Sequence, residues 1–196
     1  MCVRVRRSAG RAAAAAGLLF VDVVSFLFRL SVAATLAAVV ALPQTAHAGV
    51  ADFIRTQTAA QARDLVAAAR AMPADRYRYS PGPEQMTFGE LVLHVADGNY
   101  LFCAPIGSSD APTVEKLPGD GPKDALVKRL QDSFDFCARA MAKLDDSKMS
   151  EMLLIGNVRS PRSMAILTLS GTWNTHLTMA RDYLSKNGQT VASTSR

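Results

Sequence analysis

The sequence predicts an all-α fold, a four-helix bundle, on three observations. Apolar residues recur at alternating steps of three and four in four separate stretches, the spacing of one helix face. Proline, glycine and capping residues stand at the ends of those stretches. No stretch shows the alternation of a half-buried strand. The chain has 196 residues, of which 49% are hydrophobic and 20% charged, with 12 Gly and 9 Pro. That length suits one domain with an appendage. The composition excludes collagen-like, disulfide-dense and wholly disordered chains.

The appendage comes first. The chain holds 22 basic and 17 acidic residues; five Arg and one Asp lie within residues 1–48, leaving 17 basic against 16 acidic in the rest. The net charge of +5 therefore sits almost wholly in the first quarter. Arg4 to Arg11 form a positive end, Leu30 to Leu42 an apolar run, and Ala46-His47-Ala48 a small-residue site after Pro43. These are the parts of a secretory signal peptide, with cleavage expected before Gly49. The apolar run has 13 residues, short of the ~20 that span a bilayer as a helix. The released chain is expected to be periplasmic or secreted, with no membrane anchor. Its near-neutral balance predicts no nucleic-acid partner.

From Gly49 the helices follow in order. Ile54, Thr58, Gln61, Leu65, Ala68 and Met72 form the stripe of the first, which is rich in Ala and stopped by Pro73. Tyr77 to Pro83 reads as a loop, where Arg76, Tyr77 and Arg78 could rim a pocket. Thr87-x-x-Glu90 is a capping box. It opens a second helix, expected to run to about Cys103, with Phe88, Leu91, Val92, Val95, Leu101 and Phe102 on a wide apolar face. Pro105 to Gly121 reads as a long connection. Pro122 is placed as the first residue of a third helix, whose stripe is Leu126, Leu130, Phe134, Cys137, Met141 and Leu144. Asp145 to Ser160 is expected to be a loop in which Met152-Leu153-Leu154-Ile155 must bury. Ser160-Pro161 is expected to cap and open the fourth helix, with Ile166, Leu169, Trp173, His176, Ala180 and Tyr183 inward. Gly188 stands where a helix stop belongs. The bundle is thus expected over residues 49–188 and a polar tail over 189–196.

Few residues in this domain carry chemistry. Once His47 leaves with the leader, His94 and His176 remain, both mid-helix in apolar stretches. A bundle interior is where helix-borne His and carboxylates assemble a metal site. The plainer reading is two core histidines satisfied by neighbours or water.

At these residues the sequence resembles a family. Met86-Thr87-Phe88-Gly89-Glu90-Leu91-Val92-Leu93-His94-Val95-Ala96, and His176-Leu177-Thr178-Met179-Ala180-Arg181-Asp182-Tyr183-Leu184, are similar to the DinB-like (YfiT-like) four-helix-bundle family. Asp97-Gly98-Asn99-Tyr100 and Phe134-Asp135-Phe136-Cys137 fit one branch of it. The resemblance covers roughly Ala51 to Gly188. It implies a bundle whose second and third helices run parallel, joined by a long crossover. It also implies a divalent metal (zinc, nickel or iron) held by one His on helix two and two on helix four. His94 matches the first of these and His176 the last. Thr172 occupies the remaining His position, so the triad is incomplete. Asp97, one turn after His94, is the candidate third ligand, because Glu90 is committed to the capping box. Some family members are thiol-dependent transferases or isomerases. The readings are therefore a metal-dependent enzyme acting on an unknown small molecule, or a metal-free small-molecule- or protein-binding bundle. A homodimer is compatible with either.

Cys103 and Cys137 also remain after the leader, an even number in an exported chain. If helices two and three run parallel, both thiols stand at the same height and a disulfide can form; if antiparallel, it cannot. The other reading is two buried free thiols.

Overall fold

The computed structural model describes residues 49–191. The expected leader, residues 1–48, and positions 192–196 of the tail lie outside the described residues. The elements are α1 (Val50–Ala71), α2 (Phe88–Ile106), α3 (Lys123–Ala142), a hairpin of β1 (Met152–Ile155) and β2 (Val158–Pro161), and α4 (Arg162–Lys186). Short 3₁₀ turns span Ala74–Arg76 and Asp146–Lys148.

The stripes read from the sequence face inward except at Leu101, which the wide face expected of α2 included and which is 50% exposed. Leu126, Leu130, Phe134, Cys137, Met141 and Leu144 of the α3 stripe are buried, as are Ile166, Leu169, Trp173, His176, Ala180 and Tyr183 of α4. The capping box closes in both directions: Thr87 Oγ1 accepts from Glu90 N at 3.2 Å, and Glu90 Oε2 accepts from Thr87 N at 2.7 Å. Gly188 ends α4 at φ 70°. Gly188 N donates to Ser185 O and Gln189 N to Leu184 O, so the last carbonyls of the helix are satisfied.

Helix directions follow from which residues meet. Between α2 and α3, Asn99 meets Ser133 and Cys103 meets Cys137, both 34 residues apart. Partners that advance together mean parallel helices. Between α2 and α4, Phe88 meets Tyr183, His94 meets His176, Asn99 meets Trp173 and Ile106 meets Arg162. One number falls as the other rises, so these helices are antiparallel. Helices α1 and α3 are antiparallel too: Arg55 donates to the Met141 and Leu144 carbonyls, and Lys123 to those of Arg70 and Met72. The order around the bundle is α1, α3, α2, α4. A parallel α2–α3 pair needs the chain to return along the bundle, and the long crossover between them does so. It docks where Gly89 lacks a side chain: a Cβ there would collide with the Gly119 carbonyl.

Cys103 and Cys137 are bonded, with Cα atoms 5.1 Å apart and both residues buried. The bond joins α2 and α3 near their C-terminal ends. A second tie lies one turn earlier. Asn99 is fully buried; its Nδ2 donates to Ser133 Oγ at 2.9 Å and its Oδ1 accepts from Trp173 Nε1 at 2.7 Å. One side chain thus links α2, α3 and α4.

Six expectations change. Residues 152–161 form an antiparallel hairpin within the expected loop, with Ile155 opposite Val158 around Gly156-Asn157. Gly156 takes φ 56° at the first central position of this two-residue turn, a conformation that favours glycine. Of Met152 to Ile155, only Ile155 is buried; Met152 and Leu154 are 52% and 61% exposed. The hairpin is only half covered, so strand alternation turns two of the four outward. Pro161 ends β2 with extended ψ 145°, and the fourth helix starts at Arg162 without a side-chain cap. Pro122 is likewise extended, at ψ 130°, and precedes α3 instead of opening it. Helix α2 continues through Pro105 to Ile106. A proline in the last turn forfeits one intrahelical bond, and Gly107 N to Cys103 O and Ser109 N to Ala104 O still close the end. Tyr77 rims no pocket: it is buried, and its hydroxyl donates to Ala69 O at 2.6 Å.

Arg162 anchors the hairpin. It is buried, donates to Ile106 O at the end of α2 and pairs with Glu151 at 2.7 Å. Among the described residues no helix is long and apolar enough to cross a membrane.

Two outcomes test these ties. Replacing both cysteines (Cys103→Ala with Cys137→Ala) should lower unfolding free energy by about 3–4 kcal/mol, the chain-entropy value for a loop of this length, read from urea midpoints. Asn99→Ala should cost about 1–3 kcal/mol, because the Trp173 indole N–H stays buried without a partner. A loss below 0.5 kcal/mol (on the order of a surface substitution) would show that this bond does not hold the register.

Candidate metal centre

The antiparallel α2–α4 seam brings His94 and His176 together. Their ring centres are 4.9 Å apart and the planes cross at 73°, edge to face. The cause is local. The Asn99–Trp173 bond sets the register, and from there His94 lies five residues back on α2 and His176 three residues on along α4. His176 is buried and His94 is exposed, so the pair runs from the bundle interior to its surface.

His176 Nδ1 is buried without a hydrogen-bond partner. Burial holds the His176 pKa below the ordinary histidine value, and the neighbouring His94 lowers it further. The Thr172 carbonyl opposes that shift, though it makes no hydrogen bond of ordinary geometry to Nδ1. The ring is therefore neutral near pH 7, the state that binds a metal ion.

The separation of the ring centres matches that of two imidazoles on one ion. Two imidazoles on one tetrahedral zinc, each at about 2.0–2.1 Å through nitrogen, place their ring centres roughly 5 Å apart. The remaining donors fit less well. Thr172 is half-buried one turn before His176, and Asp97 is exposed one turn after His94. Among the described residues, no group of three His, Cys, Asp or Glu side chains is arranged to hold an ion, so Asp97 does not stand with the pair. Glu90 is held by Thr87. Asn174, two residues before His176, faces α1 and accepts from Gln61 Nε2 at 2.9 Å. Cys103 and Cys137 belong to the disulfide.

Among solved structures, this fold is similar to a DinB-like protein from Bacillus cereus ATCC 10987, with TM-score 0.61 and 12% identity over 71% of this chain and 93% of that one. It is also similar to the DinB-like protein YjoA from Bacillus subtilis, with TM-score 0.58 and 17% identity over 70% and 94% of the two chains. At such identities the likeness concerns the fold, and it defines the class as a DinB-like helical bundle. The DinB superfamily model matches residues 57–179, and the chain belongs to that superfamily. No curated protein matches it.

The His176 environment has a consequence for stability. A histidine whose folded pKa lies below its unfolded one opposes folding as pH falls. Between about pH 6.5 and the lower folded value, the unfolded chain takes up a proton that the folded chain does not. With chelator present, stability should therefore decline as pH falls through that window. The slope should be shallower in His176→Leu; equal slopes in the two proteins would remove His176 as the cause.

Proposed function

We propose that this chain is an exported DinB-like protein that binds a divalent metal ion through His94 and His176, with water completing the shell. The observation that carries this reading is the juxtaposition of the two rings at 4.9 Å with Nδ1 of His176 unpartnered. These are the two histidines that match the family's ligand positions. A bound ion would polarise a substrate group or activate water. The protein's own part is to present two imidazoles, one from the interior and one at the surface, so that open positions face solvent and an unidentified small molecule. Export is supported by the signal-like composition of residues 1–48 and by the Cys103–Cys137 disulfide, a bond typical of oxidising compartments.

A second reading is favoured by one specific observation. Thr172 stands at the family's third His position, and Thr is a poor zinc ligand. On that reading the bundle is a metal-free binding protein, and the two rings are an edge-to-face pair.

Metal analysis separates the two. The exported chain, purified without a His tag and loaded with zinc, nickel or iron, should retain about one ion. His94→Ala and His176→Ala should each abolish retention. Thr172→His should tighten it by a factor of ten or more, the order expected when a third strong donor is supplied. Substoichiometric metal in all three loadings would leave the metal-free reading. For export, the N-terminus of protein recovered outside the cytoplasm should be Gly49.

A further inference from the structure

The seam between α1 and α3 lies on the opposite side of the bundle from the histidine pair, and it is not filled. Thr58, Ala59 and Ala62 of α1 face Phe134 and Ala138 of α3 and Trp173 of α4 across an apolar cavity of about 140 Å³. The cause is the Ala-rich sequence of α1, whose short side chains do not reach the facing aromatics. Ala62 and Phe134 also line a second, open space, a groove of about 840 Å³. The two spaces therefore lie side by side, both bordered by these residues.

The groove has a charged rim. Arg63 and Arg70 line it, seven residues apart on α1, about 10 Å along one helix face. Among the described residues Arg63 makes no hydrogen bond or ion pair, and Arg70 donates to Gln131 Oε1 at 2.8 Å. Asp135 lies on the α3 bank, so the rim holds two cations against one carboxylate. Beyond Gly188 the chain turns back, and Thr190 and Val191 line the same groove.

An apolar cavity of about 150 Å³ takes a benzene-sized group, and small-molecule sites measure roughly 300–1,000 Å³. The cavity and the neighbouring groove match those two sizes. We propose that the α1–α3 seam is a second binding site, for a small amphipathic carboxylate. Its hydrocarbon body would enter the cavity past Ala62 and its carboxylate would meet Arg63 and Arg70. The site is separate from the metal reading, because neither His94 nor His176 lines either space; Trp173 borders the cavity and also bonds Asn99 across the α2–α4 seam.

Octanoate is the probe, titrated calorimetrically into the purified chain with its disulfide intact; octanol is the neutral control. The expected result is saturable binding at one equivalent, with octanol at least tenfold weaker. Arg63→Gln with Arg70→Gln, two exposed positions, should bring octanoate down to the octanol level. Ala62→Phe, which puts a ring where both spaces are bordered, should abolish both, with helicity checked by circular dichroism. Should that variant misfold, Ala138→Leu plugs the same cavity from α3. His94→Ala should leave octanoate binding unchanged. Non-saturable binding overturns the proposal. So does equal affinity for octanol, or full binding in a folded Ala62→Phe or Ala138→Leu protein.

Discussion

The buried amide of Asn99 is the interaction on which the rest of the bundle turns. It has no access to water, so each of its polar atoms must find a partner inside the protein. The partners are Ser133 on α3 and the Trp173 indole on α4. A hydrophobic contact between helices can slide by a turn at modest cost. A buried amide bonded to two other helices cannot, because a slip leaves donors and acceptors unpaired in an apolar interior. The bond to Trp173 fixes the α2–α4 register, and that register places His94 against His176. The candidate metal centre is thus a consequence of a polar contact more than one helical turn away.

The same side chain also supports the parallel arrangement of α2 and α3. Parallel neighbours cannot be joined by a short turn, so the chain must cross the length of the bundle. The disulfide between Cys103 and Cys137 holds the far end of the pair closed, and the crossover lies against α2 where Gly89 offers no side chain. At that far end Arg162 adds a third constraint. Its guanidinium reaches the Ile106 carbonyl at the end of α2 and the carboxylate of Glu151, so the hairpin is fixed at the mouth of α4. These ties all converge on α2, the helix that also presents His94.

The two faces of the bundle are built differently. The α2–α4 seam is closed by large side chains, Phe88 against Tyr183 and Asn99 against Trp173, with the histidine pair between them. The α1–α3 seam is left open by alanines, between arginines that stand on one face of α1. A helix chosen for small residues packs closely where its partner is bulky and leaves space where it is not. Here the space falls between α1 and the aromatic pair Phe134 and Trp173, whose rings meet at 5.1 Å.

Much of this was legible in the sequence. The four apolar stripes, the Thr87–Glu90 box and the Gly188 stop are local signals: each depends on residues within a turn or two of one another, and each appears where the spacing predicts it. Family resemblance supplied the parallel pair and the crossover. The hairpin was missed because four residues per strand carry too little periodicity to be told from a loop, and because its exposed Met152 and Leu154 imitate a buried run. Tertiary structure alone decided which of two open readings held for the cysteines, that Tyr77 is a core residue, and that His94 and His176 meet while Asp97 stays apart. The physical reason is the same in each case. Sequence spacing fixes a residue's angle around its own helix. Distance to a residue on another helix depends on register and direction, and those are set by buried partners many residues away, such as Asn99 with Ser133 and Trp173.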